Sequence, residues 1–194
     1  MTELPSYMNT HADTLSANGY HIIPIIPQQK VPGRYSGGQW HLLDKWQFYC
    51  TKAANQFEVD AWKRWPGCAV GLACGEVIGI DIDVLTDPDV AFGLERLARE
   101  MLGDTPALRI GNAPKRALFY RAEVPFSGRK KHPLEVYGLG SQMVIYATHE
   151  VTGRPYEWPQ ESLMELDVSQ LPVITEAMAM AWLEEAYKLT PANI

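Results

Sequence analysis

The sequence predicts an α+β fold with a mostly antiparallel sheet. Three observations lead there. One long, well-delimited helix pattern stands among short strand-like segments instead of alternating with them. Those segments are separated by turns containing Gly, Pro or Lys, short enough for antiparallel neighbours. The 194 residues, 46% hydrophobic and 10% aromatic, are enough to bury one sizeable core.

In chain order, Thr10–Asn18 reads as a short helix with Ala12 and Leu15 on one face, ended by Gly19 in the left-handed region. A strand follows over Tyr20–Ile26. Gln28–Gln39, rich in Gly, Pro and Lys, reads as a loop placing Lys30 beside Pro32 and Gly33, either flanking a ligand or simply connecting. Phe57–Trp65 has helical spacing, with Trp62 and Trp65 on one face and Pro66-Gly67 as the stop. Ala69–Ala73 and Val77–Asp83 read as adjacent strands joined by a tight Gly75-Glu76 turn.

The long helix runs from Pro88 to Leu102. Asp87 caps it, and Val90, Leu94, Leu97, Ala98 and Met101 recur at helical spacing before Gly103. Ala107–Ile110, Arg116–Arg121, Pro133–Tyr137 and Gln142–Ala147 follow as strands, and Ala147–Glu150 with Gly153–Trp158 as a hairpin. Pro172–Leu189 reads as a terminal helix carrying Val173, Ala177, Met180 and Trp182.

No apolar run approaches the roughly 20 residues needed to span a bilayer, and Met1–Pro5 has neither the basic start nor the apolar core of a signal peptide. The expected location is cytoplasmic, with no membrane partner. Cys50, Cys68 and Cys74 are odd in number and lack CxxC spacing, which argues against a disulfide framework or a zinc site and for buried small hydrophobes. The net charge is −6, yet Arg109, Lys115, Arg116, Arg121, Arg129, Lys130 and Lys131 stand against one acid, Glu123, in that stretch. Attraction to a polyanion depends on the local field, so this stretch suits phosphate, although Arg129–Lys131 also reads as a solvated loop.

The chemistry concentrates at Ile80-Asp81-Ile82-Asp83. Alternation along a strand puts both acids on one face, about 7 Å apart, and the isoleucines on the other. Two anionic oxygen donors over one pocket suit Mg²⁺ or Mn²⁺; acids at a strand end that simply open a turn are the alternative. Glu135, between Leu134 and Val136, adds a third carboxylate if its strand lies beside the first. Arg109, Lys115 and Arg116 would then offset phosphate charge. The turn Gly138–Gln142, including Ser141, can bring backbone amides to a phosphate or form an ordinary hairpin. His149 suits a phosphate contact or plain packing. Tyr35, Trp40 and Trp46 suit base stacking or the core.

Several segments, in order, resemble the archaeo-eukaryotic primase superfamily, in its bifunctional primase-polymerase branch of phage, prophage and plasmid type. Gly19–Ile25, Lys30, Pro32, Trp46 and the Trp62/Trp65 helix resemble the branch's amino-terminal half. Val70–Leu72 and Ile78–Asp83 resemble its first catalytic motif. Leu134–Gly140 with His149, Gly153 and Tyr156–Trp158 resembles its third motif and the hairpin after it. The second motif differs: a Ser-Gly-Gly-x-His type sequence is usual, whereas Asn112-Ala113-Pro114-Lys115-Arg116 stands here, with Lys115 or Arg116 as substitute phosphate contacts.

The resemblance implies a primase-polymerase domain over residues 1–189. Within it lie an amino-terminal α/β lobe to about 75, an RRM-like catalytic half over 76–160 and a carboxy-terminal helix over 172–189; residues 190–194 form a tail or the start of a linker. It implies template-directed nucleotidyl transfer with Mg²⁺ or Mn²⁺, the metal ligands being Asp81, Asp83 and Glu135, which are also the catalytic residues. Lys115, Arg116, His149, Arg109 and Ser141 would bind the nucleotide, and Lys30, Arg121, Arg129, Lys130 and Lys131 the nucleic acid. The implied partners are DNA template and primer, NTP or dNTP, and a helicase domain or protein. A metal-dependent nuclease or phosphodiesterase using the same acids, and a non-catalytic single-stranded-DNA-binding module with a degenerate second motif, are the alternatives.

Overall fold

A computed structural model describes residues 5–190; the expectations for Met1–Leu4 and for the tail beyond residue 190 lie outside the described residues. The elements in order are α1 (Tyr7–Ala17), β1 (Ile22–Ile25), β2 (Gly33–Ser36), β3 (Gln39–Leu42), α2 (Gln56–Trp62), β4 (Ala69–Ala73), β5 (Val77–Ile82), α3 (Pro88–Leu102), β6 (Leu108–Arg109), β7 (Arg116–Ala122), β8 (Arg129–Lys131), β9 (Leu134–Tyr137), β10 (Gln142–Tyr146), β11 (Val173–Ile174) and α4 (Glu176–Lys188). The class is α+β, as the sequence predicts. Every strand pair is antiparallel except β11 with β7.

Two sheets make the frame. The larger runs β11-β7-β5-β9-β8, with β6 also on β7; the smaller runs β1-β4-β10. The period-2 alternation of β5 divides its residues between two layers. Ile78, Ile80 and Ile82 join Leu118, Tyr120, Leu134 and Val136 against the apolar stripes of α3 (Ala91, Leu94, Ala98, Leu102) and α4 (Ala179, Trp182, Leu183, Ala186). The other face meets the smaller sheet, where Ala117 and Phe119 share a core with Val70, Leu72, Met143 and Ile145. Gly79 makes that approach possible: a Cβ there would lie 1.9 Å from Met143 Sδ.

Four differences from the sequence reading have identifiable physical causes. The loop expected over Gln28–Gln39 contains most of a hairpin, β2–β3. Gly37 and Gly38 both take positive φ, as a tight two-residue turn requires, and Tyr35 faces Trp40 across the strands with ring centroids 5.6 Å apart. The strands β4 and β5 do not pair with each other, because both edges of β4 are taken by β1 and β10 and both edges of β5 by β7 and β9. The terminal helix begins at Glu176, not Pro172: Val173–Ile174 instead adds β11 to β7, and Thr175 caps α4 through Met178 N–H. Helix α2 ends at Trp62, leaving Trp65 in the turn that follows. Helix α3 agrees with expectation, its Asp87 side chain accepting from Val90 N–H at 3.1 Å with Pro88 in the first turn. Cys50, Cys68 and Cys74 are free and buried, and no helix among the described residues is long and apolar enough to cross a membrane.

Asp87→Ala should lower the unfolding free energy by about 1 kcal/mol through loss of this cap, measured by urea denaturation. An unchanged midpoint would show that Pro88 and the apolar stripe alone define the start of α3.

Candidate active site

Strand register assembles one row of side chains across five strands. Arg109 of β6 pairs with Ala117 of β7, Ala117 with Asp81 of β5, Asp81 with Glu135 of β9, and Glu135 with Lys130 of β8. Directly opposed residues share a face, so the row reads base, alanine, acid, acid, base. Ala117 is the one short member, and across it Arg109 Nη2 comes to 3.9 Å from Asp81 Oδ1. At the other end Lys130 Nζ lies 3.0 Å from Glu135 Oε2. Asp83 follows just beyond β5 on the same face, its N–H donating to Pro133 O at 2.8 Å and its carboxylate 2.6 Å from Lys115 Nζ. The three acids named from the sequence therefore stand together, each with its own basic neighbour.

The acids border two cavities. The larger, about 210 Å³, is lined by Lys30, Arg109, Lys115 and His149 together with Asp81, Asp83, Tyr137, Gln142 and Tyr156. The smaller, about 130 Å³, has Glu135, Lys130 and His132 on its walls. Asp81, Asp83, Lys30 and Tyr137 belong to both. Burial is the main reason that the Asp81 carboxyl is pushed up to about 6; nearby Arg109 opposes the shift, and Asp83 and Glu135 add to it. Burial likewise raises the Tyr137 phenol, with Asp81 and Glu135 contributing. The hydrogen bond to Glu135 raises the Lys130 ammonium.

Arg109 is held rigidly. Its Nη1 donates to Val144 O, its guanidinium lies 4.7 Å from the centroid of the Tyr156 ring, and its side chain is 11% exposed. Tyr156 reaches this place because Ile110 and Glu157 exchange backbone hydrogen bonds of 2.8 Å, which ties the turn after β10 to the end of β6. The same turn presents His149. Val151 and Thr152 N–H groups donate to His149 Nδ1 at 3.2 and 3.4 Å, which places the imidazole proton on Nε2 and leaves a donor for an anion. Burial lowers the His149 pKa, and Lys30, Arg109 and Lys115 lower it further against the pull of Glu150. Gly111 permits the close approach, since a Cβ there would come within 2.2 Å of Tyr156 and 2.9 Å of His149.

Not every residue named from the sequence comes to this face. Arg116 borders the larger cavity, yet it pairs with Ile82 in the register and its guanidinium projects toward the helices. Its guanidinium bonds Glu95 and Pro114 O and lies 3.9 Å from the centroid of the Phe92 ring, so it holds the Asn112–Lys115 turn from behind. Ser141 Oγ donates to Gly138 O at 2.6 Å and closes the glycine turn. Arg129 and Lys131 pair with Val136 and Leu134, on the helix side of β8, and Lys131 bonds Glu184. Arg121 sits four residues along β7 from Ala117, about 13 Å by strand geometry. Lys30 borders both cavities and lies 3.3 Å from Glu150. Sequence reasoning missed Tyr137, Gln142 and Tyr156 as cavity walls; the polar residue opening β10 was the available signal for Gln142.

Fold and site together define an α+β protein that sets a row of carboxylates beside a cleft lined by Lys30, Arg109, Lys115 and His149. The family model for the bifunctional DNA primase/polymerase N-terminal domain (Prim-Pol) matches residues 12–174 of the 194, and the chain belongs to that family. Membership points to nucleotidyl transfer of the primase/polymerase type. No curated protein matches the chain.

In metal-free protein, the raised Asp81 pKa makes the native state hold a proton that the unfolded chain has already released. Stability attributable to Asp81 is therefore full below about pH 4 and is lost as pH rises to about 6. Asp81→Asn should be more stable than the parent at pH 7 by on the order of 1–3 kcal/mol, and the advantage should vanish toward pH 4. Denaturation in EDTA across this range checks it; a gap independent of pH would refute the assignment.

Proposed function

We propose that the chain is a template-directed nucleotidyltransferase, a DNA primase and/or DNA polymerase acting in the cytoplasm in replication of a phage, prophage or plasmid. The observation that carries this reading is that Asp81 and Glu135 stand opposite each other with Asp83 just beyond the strand: Asp81 and Asp83 border the cleft lined by Lys30, Arg109, Lys115 and His149, and Glu135 borders the adjoining cavity.

The donor set suits hard cations. Mg²⁺ is commonly held by one or two carboxylates, the remaining positions going to water and substrate phosphate; Asp81 and Asp83 on both cavities answer that need. Among the described residues no three His, Cys, Asp or Glu side chains are placed to hold one metal ion by themselves, so water and phosphate oxygens would have to complete any ion's shell. Asp81, Asp83 and Glu135 would hold Mg²⁺ or Mn²⁺. When bound, such ions activate a hydroxyl and offset charge on a triphosphate and departing pyrophosphate.

In this reading the triphosphate occupies the larger cavity. Arg109 and Lys115 offset its charge, and His149 Nε2–H donates to a phosphate oxygen. The primer end enters the smaller cavity between Glu135 and Lys130. There the 3′-hydroxyl gives up its proton to water and its oxygen forms a bond to the α-phosphorus as the bond from that phosphorus to the bridging oxygen breaks, releasing pyrophosphate. Lys130 is the basic residue of β8 placed to meet the primer phosphate nearest the acids, while Arg129 and Lys131 would meet nucleic acid only around the edge of the sheet.

A labelled primer on a DNA template with Mg²⁺ or Mn²⁺ and all nucleotides should be elongated, and Asp81→Asn/Asp83→Asn should reduce elongation at least about 100-fold. A folded parent chain that leaves the primer unchanged would overturn the reading. Primer shortening would indicate phosphodiester hydrolysis instead. Tight DNA binding without elongation, insensitive to Mg²⁺ and to the substitutions, would indicate a binding module.

A further inference from the structure

The three acids differ in how firmly their basic neighbours are held. Arg109 is locked by Val144 O and the Tyr156 ring. Lys115 is the tip of a turn: its N–H donates to Asn112 O at 3.1 Å, and Arg116 grips the backbone behind it through Pro114 O at 2.9 Å. The turn is thereby anchored, while the Lys115 side chain beyond it is a flexible four-carbon arm, 33% exposed, whose ammonium touches Asp83 at 2.6 Å. Asp83 and Lys115 line the same cavity, which also holds Lys30, Arg109 and His149.

Resting on the reading above, we propose that Lys115 is a resident counter-ion of Asp83 that a divalent cation must displace, and that displacement delivers its ammonium to the triphosphate. An ammonium and a metal ion cannot both sit against one carboxylate at contact distance without strong mutual repulsion. Once released, the lysine swings within its own reach into a cleft of like charge, where it is at ease only if an anion is present. Cation and triphosphate therefore favour each other's binding, and the coupling is reciprocal. Metal alone binds weakly, and the metal–nucleotide pair is taken up together.

The test is Mn²⁺ binding to the full, metal-free chain without nucleotide, read from the free-Mn²⁺ electron paramagnetic resonance signal. Lys115→Met should bind Mn²⁺ about two- to fivefold more tightly than the parent, the scale of a partly exposed ion pair. Lys115→Arg should stay near the parent value. Lys188→Met, which removes the same charge from the outer helix α4 where the ammonium pairs with Glu185, should leave the affinity within about 1.5-fold of the parent. Lys115→Gln repeats the comparison should the methionine variant fold poorly. Unchanged or weaker binding in the neutral Lys115 variants would overturn the proposal, as would an equal gain from Lys188→Met, which would reduce the effect to net charge. Absence of Mn²⁺ binding in every variant, the neutral ones included, would instead sink the cation site itself and this inference with it.

Discussion

The register of β5 against β9 and β7 is the constraint on which the site depends. With Asp81 opposite Glu135 and Ala117, the odd-numbered residues of β5 face the smaller sheet and, at Asp81, the cleft, and the isoleucines face α3 and α4. A slip of one residue would exchange those faces, sending two carboxylates into the helix layer and three isoleucines toward the cavities. Burial of each isoleucine favours the native register by roughly 1.5–3 kcal/mol. The apolar half of the strand thus fixes where its acids stand. The Asp83 N–H bond to Pro133 O continues the pairing one step past the strand, so Asp83 is placed by backbone as well.

Electrostatics then shapes what the row can hold. Three carboxylates on adjoining strands repel one another, and burial adds to the strain on Asp81. Arg109, Lys115 and Lys130 relieve it from three directions. Ala117 matters by being small, since a longer side chain in the row would separate Arg109 from Asp81. The result is a cleft with acids at its floor and cations around it, the charge arrangement on which the proposed uptake of a metal–triphosphate pair rests. His149 contributes as a neutral donor, its orientation set by two backbone N–H groups.

Much of this was legible from residue order. Alternation alone placed Asp81 and Asp83 together, and the Asp87-Pro88 cap with its apolar stripe located α3 nearly to the residue. The same alternation, applied to Arg129-Lys130-Lys131, separates Lys130 from its neighbours, yet a run of like charges invites reading as one patch. Arg116 shows the same effect: its partner is Ile82, so its guanidinium turns to the helix side, where it braces the turn carrying Lys115, while the residue still borders the larger cavity. Strand partnership was the illegible part. Nothing local separates β4 from β5 into different sheets, and only long-range pairing brings Tyr156 to Arg109 or Met143 over Gly79. The Gly37-Gly38 turn was a local signal hidden by the composition around it.

The account stands most directly on where the ions and phosphates settle. A crystal of the chain grown with Mn²⁺ and a non-hydrolysable nucleotide, with anomalous scattering to locate manganese, decides it. The expected map shows manganese on Asp81, Asp83 and Glu135, with the triphosphate reaching Arg109, Lys115 and His149 Nε2. Manganese away from these acids, or a triphosphate held by Arg129 and Lys131 on the helix side, would contradict it.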